Sequence, residues 1–93
     1  MRNTFARVIT KITKKNKKII LLAGDIGNKL FDDFKNKFPK NFYNCGVAES
    51  NMTTVAAGLA YNGYQPITYT ITSFNTLKTI EQIKLDICYQ NLP

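Results

Sequence analysis

The chain contains no histidine, and only two cysteines, Cys45 and Cys88, among its 93 residues. Without an imidazole, a Cys/His zinc site is excluded, and so is histidine general-base catalysis within this chain. The two thiols stand too far apart in sequence for a metal pair. They fall in stretches that read as buried strand and buried helix, so reduced structural thiols are expected. Long apolar runs are also missing. The longest, Ile19 to Ala23, lies between Lys18 and Asp25 and falls well short of the ~20 residues a membrane helix needs. Residues 2–13 are amphipathic and lack both an apolar signal core and a small-residue cleavage site. A cytoplasmic, non-membrane protein is expected.

Acidic residues are scarce: six, against thirteen Lys and Arg, for a formal net charge of +7. Eleven of those thirteen cations fall at or before Lys40, including the run Lys14, Lys15, Lys17 and Lys18. That run lies where a first helix should end, and cations there are favoured by the helix dipole. No helix-turn-helix, zinc-finger or aromatic-interleaved RNA motif accompanies it, so a nucleic-acid partner is not expected. A chain of this size buries roughly two-thirds of its unfolded surface and is modestly stable without a partner. There are no repeats, linkers or low-complexity segments.

What is present alternates. Phe5, Val8, Ile9 and Ile12 follow helical spacing behind a candidate N-cap, Asn3. Ile19 to Ala23 reads as a central parallel strand. The turn from Gly24 to Asn28 leads to a second helix carrying Leu30, Phe31, Phe34 and Phe38, stopped by Pro39. Phe42 to Cys45 makes a short second strand. Met52, Val55, Ala56, Leu59 and Ala60 form a third helix, with Ala57 and Gly58 permitting close packing and Asn62-Gly63 closing it. Pro66 to Thr72 is rich in β-branched residues and reads as a third strand. A fourth helix presents Leu77, Ile80, Ile83 and Ile87 and ends near Asn91. Strands alternating with helices predict an α/β fold: three α/β/α layers with a mostly parallel sheet. Leu92-Pro93 resembles the entry to another buried strand. The expectation is a single, incomplete domain over residues 1–93, truncated after the fourth helix or completed by another chain.

Glu49 is the one acidic residue between Asp33 and Glu81. It follows an apolar stretch and Gly46, at the start of a small-residue helix. Desolvation between apolar neighbours can raise the pKa of such a carboxyl and suit it to proton exchange with a bound heterocycle. The plainer reading is a first-turn glutamate placed favourably against the helix dipole.

Three segments then converge: Leu21-Leu22-Ala23-Gly24-Asp25-Ile26-Gly27, Asn44-Cys45-Gly46-Val47-Ala48-Glu49-Ser50-Asn51-Met52, and Thr68-Tyr69-Thr70-Ile71-Thr72-Ser73-Phe74. Their order and spacing resemble the pyrimidine-binding domain of thiamine-diphosphate enzymes, and most closely the C-terminal subunit of split transketolases. Glu81-Gln82-Ile83, Asp86 and Gln90-Asn91-Leu92-Pro93 extend the resemblance over essentially the whole chain. It implies that Glu49 shares a proton with N1′ of the cofactor's aminopyrimidine and thereby activates the thiazolium. Phe74 matches the aromatic that packs on the pyrimidine, and Asp25 the acidic residue near the cofactor and the subunit contact. For Phe74 a core phenylalanine, and for Asp25 a turn aspartate, are the competing readings.

Asp25 and Asn51 only faintly match the family's magnesium and diphosphate motif, because Ile26 replaces its second glycine. Magnesium is therefore expected on a partner half, a diphosphate-binding subunit or domain, within a dimeric or heterotetrameric assembly. Ala48 and Ser50 replace the Arg and His that flank the glutamate in long single-chain transketolases. The implied activity is two-carbon ketol transfer between sugar phosphates, with no turnover by the isolated chain. The alternatives are a fragment of a deoxyxylulose-phosphate synthase or of a 2-oxo-acid dehydrogenase beta subunit, or a non-catalytic remnant that docks with another protein.

Overall fold

A computed structural model of the chain describes residues 1–93. Its centre is strand β1 (Ile19–Ala23), every residue of which is buried. A strand covered on both faces has no polar side to offer, hence the unbroken apolar run. β2 (Phe42–Asn44) and β3 (Gln65–Tyr69) flank it in the order β2-β1-β3, both parallel to it. Leu21 lies opposite Phe42 and Ile67, and Ala23 opposite Asn44 and Tyr69.

Strand alternation sends the two faces of β1 to two cores. Ile19 and Leu21 pack with Ile9, Phe31 and Phe34 beneath helix α1 (Arg2–Lys15) and helix α2 (Asp32–Lys37). Ile20 and Leu22 pack with Met52 and Ala56 of helix α3 (Glu49–Tyr61) on the opposite face. Helices therefore cover both sides of a parallel sheet, the expected three-layer α/β/α arrangement. An aromatic cluster knits the first core. Phe31 meets Tyr69 edge-on at 4.8 Å and Phe5 at 6.1 Å, while Phe5 stacks on Tyr69 at 5.4 Å. Such pairs contribute about 1 kcal/mol each beyond their burial.

The α1 stripe is rotated from its expected position. The buried residues are Ile9 and Thr13, with Phe5 and Ala6 packed alongside, whereas Val8 and Ile12 are exposed. The helix begins at Arg2 with Met1 at its cap position, so Asn3 lies inside the first turn and does not cap. In α3, Ala56, Ala57 and Ala60 are buried as the small-residue pattern requires, but Val55 is exposed and Gly58 faces open space. Gly58 is thus no packing device. At the end of α3, Gly63 N–H donates to Ala60 O at 2.9 Å and Tyr64 N–H to Leu59 O at 3.1 Å. With Gly63 at φ +81°, this is the glycine-terminated helix end expected from Asn62-Gly63.

The last third departs furthest from expectation. β3 stops at Tyr69 and does not run to Thr72; Phe74 and Asn75 N–H groups both donate to Ile71 O and wind a short helix, α4 (Thr72–Asn75). A single fourth helix is not formed. After a break at Thr76–Thr79, helix α5 (Ile80–Gln82) runs on as a wide-turn segment (Ile83–Cys88). Within it, Tyr89 N–H reaches Lys84 O, and beyond it Leu92 N–H reaches Ile87 O. Such five-residue steps mark helices under local constraint. This segment lies against α3, where Thr54 Oγ1 donates to Asp86 Oδ2 at 2.7 Å. Leu77 and Ile80 are exposed, not core, and Ile83 and Ile87 are half-buried. Cys88 is likewise exposed and Cys45 half-buried, contrary to the buried thiols expected. No helix is long and apolar enough to cross a membrane.

Candidate functional site

With β1 in the middle, the chain leaves β1 for β2 on one side and then crosses to β3 on the other. The loops beyond the carboxyl ends of the strands diverge at such a switch, and open parallel sheets bind ligands there. Here that end is tied tightly. Gly24 N–H donates to Tyr69 O at 3.0 Å and Cys45 N–H to Ala23 O at 2.8 Å, carrying the ladder past the strands. Gly24 must be small: a Cβ there would stand 3.1 Å from Thr70 Oγ1 and 3.6 Å from Glu49 Cγ. The ends of β1 and β3 and the start of α3 thus converge on Glu49.

Glu49 is 1% exposed, the first residue of α3. Lys78 Nζ donates to Glu49 Oε2 at 2.6 Å, from a side chain still 48% exposed. The pKa of Glu49 lies below the ordinary glutamate value, opposite to the rise expected from its apolar flanks. The Lys78 hydrogen bond is the main cause, followed by the carboxylate's own backbone N–H; burial pulls the other way, and the Lys78 charge and the Thr70 hydroxyl lower it further. The sequence-level reading failed because it counted neighbours along the chain, and Lys78 arrives from 29 residues away. Burial does act on Cys45, whose thiol pKa is raised.

Phe74 lies in α4, not at a strand end, and is exposed. Its ring centroid is 5.6 Å from Lys78 Nζ, within cation–π range. The structure therefore brings Glu49 and Phe74 together around one ammonium group. Asp25 stands two residues past β1, in the left-handed region at φ 52°. Its partner is Asn44, whose Nδ2 donates to Asp25 Oδ1 at 2.9 Å; Asn51 is not among its hydrogen-bond partners. Apolar side chains on the segments that carry the site, Val47, Ile71, Leu77 and Ile80, are exposed.

The sequence and the fold both have counterparts among known proteins. The family model for the transketolase pyrimidine-binding domain matches residues 1–93. This chain belongs to the transketolase pyrimidine-binding domain family. Among relatives of that family, it is 34% identical over 90 residues to the 1-deoxy-D-xylulose-5-phosphate synthase of Gloeothece citriformis, covering 96% of this chain and 14% of that protein. It is 36% identical over 90 residues to the synthase of the same name from Microcystis aeruginosa, again covering 96% and 14%. A solved chain of a split gene transketolase, described as an inactive beta4 tetramer, matches with a TM-score of 0.87 at 34% identity. That match covers 98% of this chain and 31% of that one. The chain thus spans a minor part of the length of each relative.

Three contributors to the site were not legible in the sequence: Lys78, Thr70 and Asn44. Lys78 carried one signal, being one of two cations beyond Lys40. Thr70 was read as strand, and Asn44 as the edge of a motif. A separate cleft of about 810 Å³ runs between α1 and the Lys29–Lys37 stretch. It is lined by Arg7, Lys11, Lys14, Lys29 and Lys37 among others, and by none of Asp25, Glu49 and Phe74.

Proposed function

We propose that this chain supplies the pyrimidine-binding half of a thiamine-diphosphate site, in an enzyme that carries two-carbon units between sugar phosphates. The observation that carries the reading is Glu49, a carboxylate 1% exposed at the sheet's switch point, with a lysine ammonium and an aromatic ring beside it. These residues suit a flat, basic heterocycle. Glu49 would hold a proton against the ring nitrogen, Phe74 would pack on the ring face, and Asp25 would line the neighbouring turn. When bound, the cofactor supplies the carbanion chemistry. The chain's own part is to bind and orient the aminopyrimidine and keep one proton in a site shielded from water.

The half-site has to be completed from outside. Exposed Val47, Ile71, Leu77 and Ile80 on the segments around Glu49 are the kind of surface a second subunit or domain covers. That partner would contribute the magnesium and diphosphate ligands, and the isolated chain would not turn over. The test is ketol transfer in the complex with a diphosphate-binding partner. Glu49→Gln should lower the rate by about 10²–10⁴-fold; equal rates in the two would sink the assignment.

A second reading is favoured by the names of the relatives, 1-deoxy-D-xylulose-5-phosphate synthases. A 1-deoxy sugar carries a methyl group where a ketose has a hydroxymethyl, so the transferred unit would be an acetyl equivalent and not a ketol. Supplying the same complex with a 2-oxo acid or with a ketose phosphate as donor separates the two. Activity with neither, in a complex that still assembles, would favour a docking role without catalysis.

A further inference from the structure

Lys78 Nζ has two neighbours that matter: Glu49 Oε2 at 2.6 Å and the Phe74 ring at 5.6 Å from its centroid. These are the same two side chains that the proposed function assigns to the cofactor's aminopyrimidine. A carboxylate on one side and an aromatic face on the other define a slot for a flat cationic or proton-sharing group, and the ammonium of Lys78 fills it. We propose that Lys78 is a placeholder, a positioning residue that pairs with Glu49 and lies against Phe74 until the aminopyrimidine displaces it. The inference rests on the thiamine-diphosphate reading of the site.

The physical chemistry favours exchange over coexistence. Both groups need the inward-facing carboxylate, and the floor formed by Gly24 and Thr70 leaves little slack. Without Lys78, Glu49 would keep only its own N–H and the Thr70 hydroxyl as partners, and burial would work against its charge. Lys78 removes that penalty in the cofactor-free chain. Its stem is half-exposed and rises from within the break between α4 and α5, so it can swing outward at small cost. Of the charged side chains, Lys78 alone acts on this carboxylate; Thr70 and the Glu49 N–H are the neutral contributors. Once the ammonium leaves and the ring covers the carboxyl, the main pKa-lowering contact is gone and the balance moves toward the protonated form. Glu49 then has the proton that a neutral ring nitrogen requires. Cofactor binding would accordingly take up a proton and strengthen as pH falls.

The chain has only two glutamates, Glu49 and Glu81, so labelling glutamate side-chain carboxyls with ¹³C gives two resonances to follow by NMR. In the full chain, Lys78→Met should move the Glu49 titration upward, and Lys78→Arg should leave it low. A Glu49 midpoint unchanged by Lys78→Met would overturn the placeholder. In the complex with the diphosphate-binding partner, calorimetry with thiamine diphosphate and magnesium should show Lys78→Met binding about tenfold more tightly than wild type at neutral pH. The dependence of affinity on pH should also be shallower. Binding that needs Glu49 yet weakens in Lys78→Met overturns this inference and leaves the proposed function standing. Binding in wild type that is indifferent to Glu49→Gln, or no binding in any variant, overturns both.

Discussion

Asp25 and Asn44 hold each other in both directions: Asn44 Nδ2 donates to the Asp25 carboxylate at 2.9 Å, and the Asp25 backbone N–H donates to Asn44 Oδ1 at 3.1 Å. The same Asn44 oxygen accepts Gly46 N–H at 3.0 Å. One amide side chain therefore fixes the turn after β1 and the loop before Glu49. Asn44→Ala should cost about 1 kcal/mol, given the exposed setting of these bonds, read as a shift in urea midpoint at constant slope. Asp25→Ala should destabilise more than Asp25→Gly by roughly 1 kcal/mol, because φ 52° suits glycine and not alanine.

Acid should loosen the fold through Glu49. Its folded pKa is depressed below the ordinary glutamate value of 4.5, so the unfolded chain binds this proton more readily. The stability that the ionised carboxylate contributes is present above about pH 4.5 and is lost as pH falls through the lower folded value. Urea titrations from neutral pH down to about pH 3 should show that loss in wild type and a smaller one in Lys78→Met. Parallel curves would mean that the ion pair contributes nothing.

The core on the α1 side should be sensitive to truncation at its centre. Phe34 is fully buried among Ile9, Leu21 and Phe31 and stacks edge-on with Phe38 at 5.5 Å. Phe34→Ala should cost about 3–5 kcal/mol, a large fraction of the stability of a 93-residue chain. Loss of the cooperative thermal transition at physiological temperature is the expected readout.

Two glycines should respond to alanine with opposite signs. At Gly27, φ is +81° and a Cβ would stand 2.9 Å from the Phe31 ring, so Gly27→Ala should destabilise by more than 1 kcal/mol. Gly58 lies in mid-helix with nothing near its Cβ position, and Gly58→Ala should stabilise by about 0.5–1 kcal/mol. Melting temperatures of the two variants should bracket the wild type.

How much of this was legible depended on where each residue takes its instructions. Ile19 to Ala23 was placed to the residue, because five apolar residues between lysines and a glycine have one way to be buried. The three layers and the parallel order followed from alternation, and Glu49 from its flanking segments. The last third was misread because its order is tertiary. The end of β3 is decided where Gly24 N–H takes Tyr69 O, and the broken fourth helix by Ile71 O accepting two amides. Neither event leaves a mark in local periodicity. The protonation of Glu49 was misread for the same reason, since Lys78 reaches it across a distance in sequence that no pattern spans.

The ladder bonds that continue past the strands give the site two mechanical characters. Gly24 and Cys45 are pinned to Tyr69 and Ala23, so the floor beneath Glu49 belongs to the most cooperative part of the molecule. Phe74 and Lys78 stand on a four-residue helix and the break that follows it, with few bonds to hold them. Ordering on ligand entry would then fall almost wholly on the rim, where only a few side-chain rotors have to be frozen. Amide exchange should record the difference directly, with the amides of Ile19–Ala23 opening only on global unfolding and those of 74–79 opening locally.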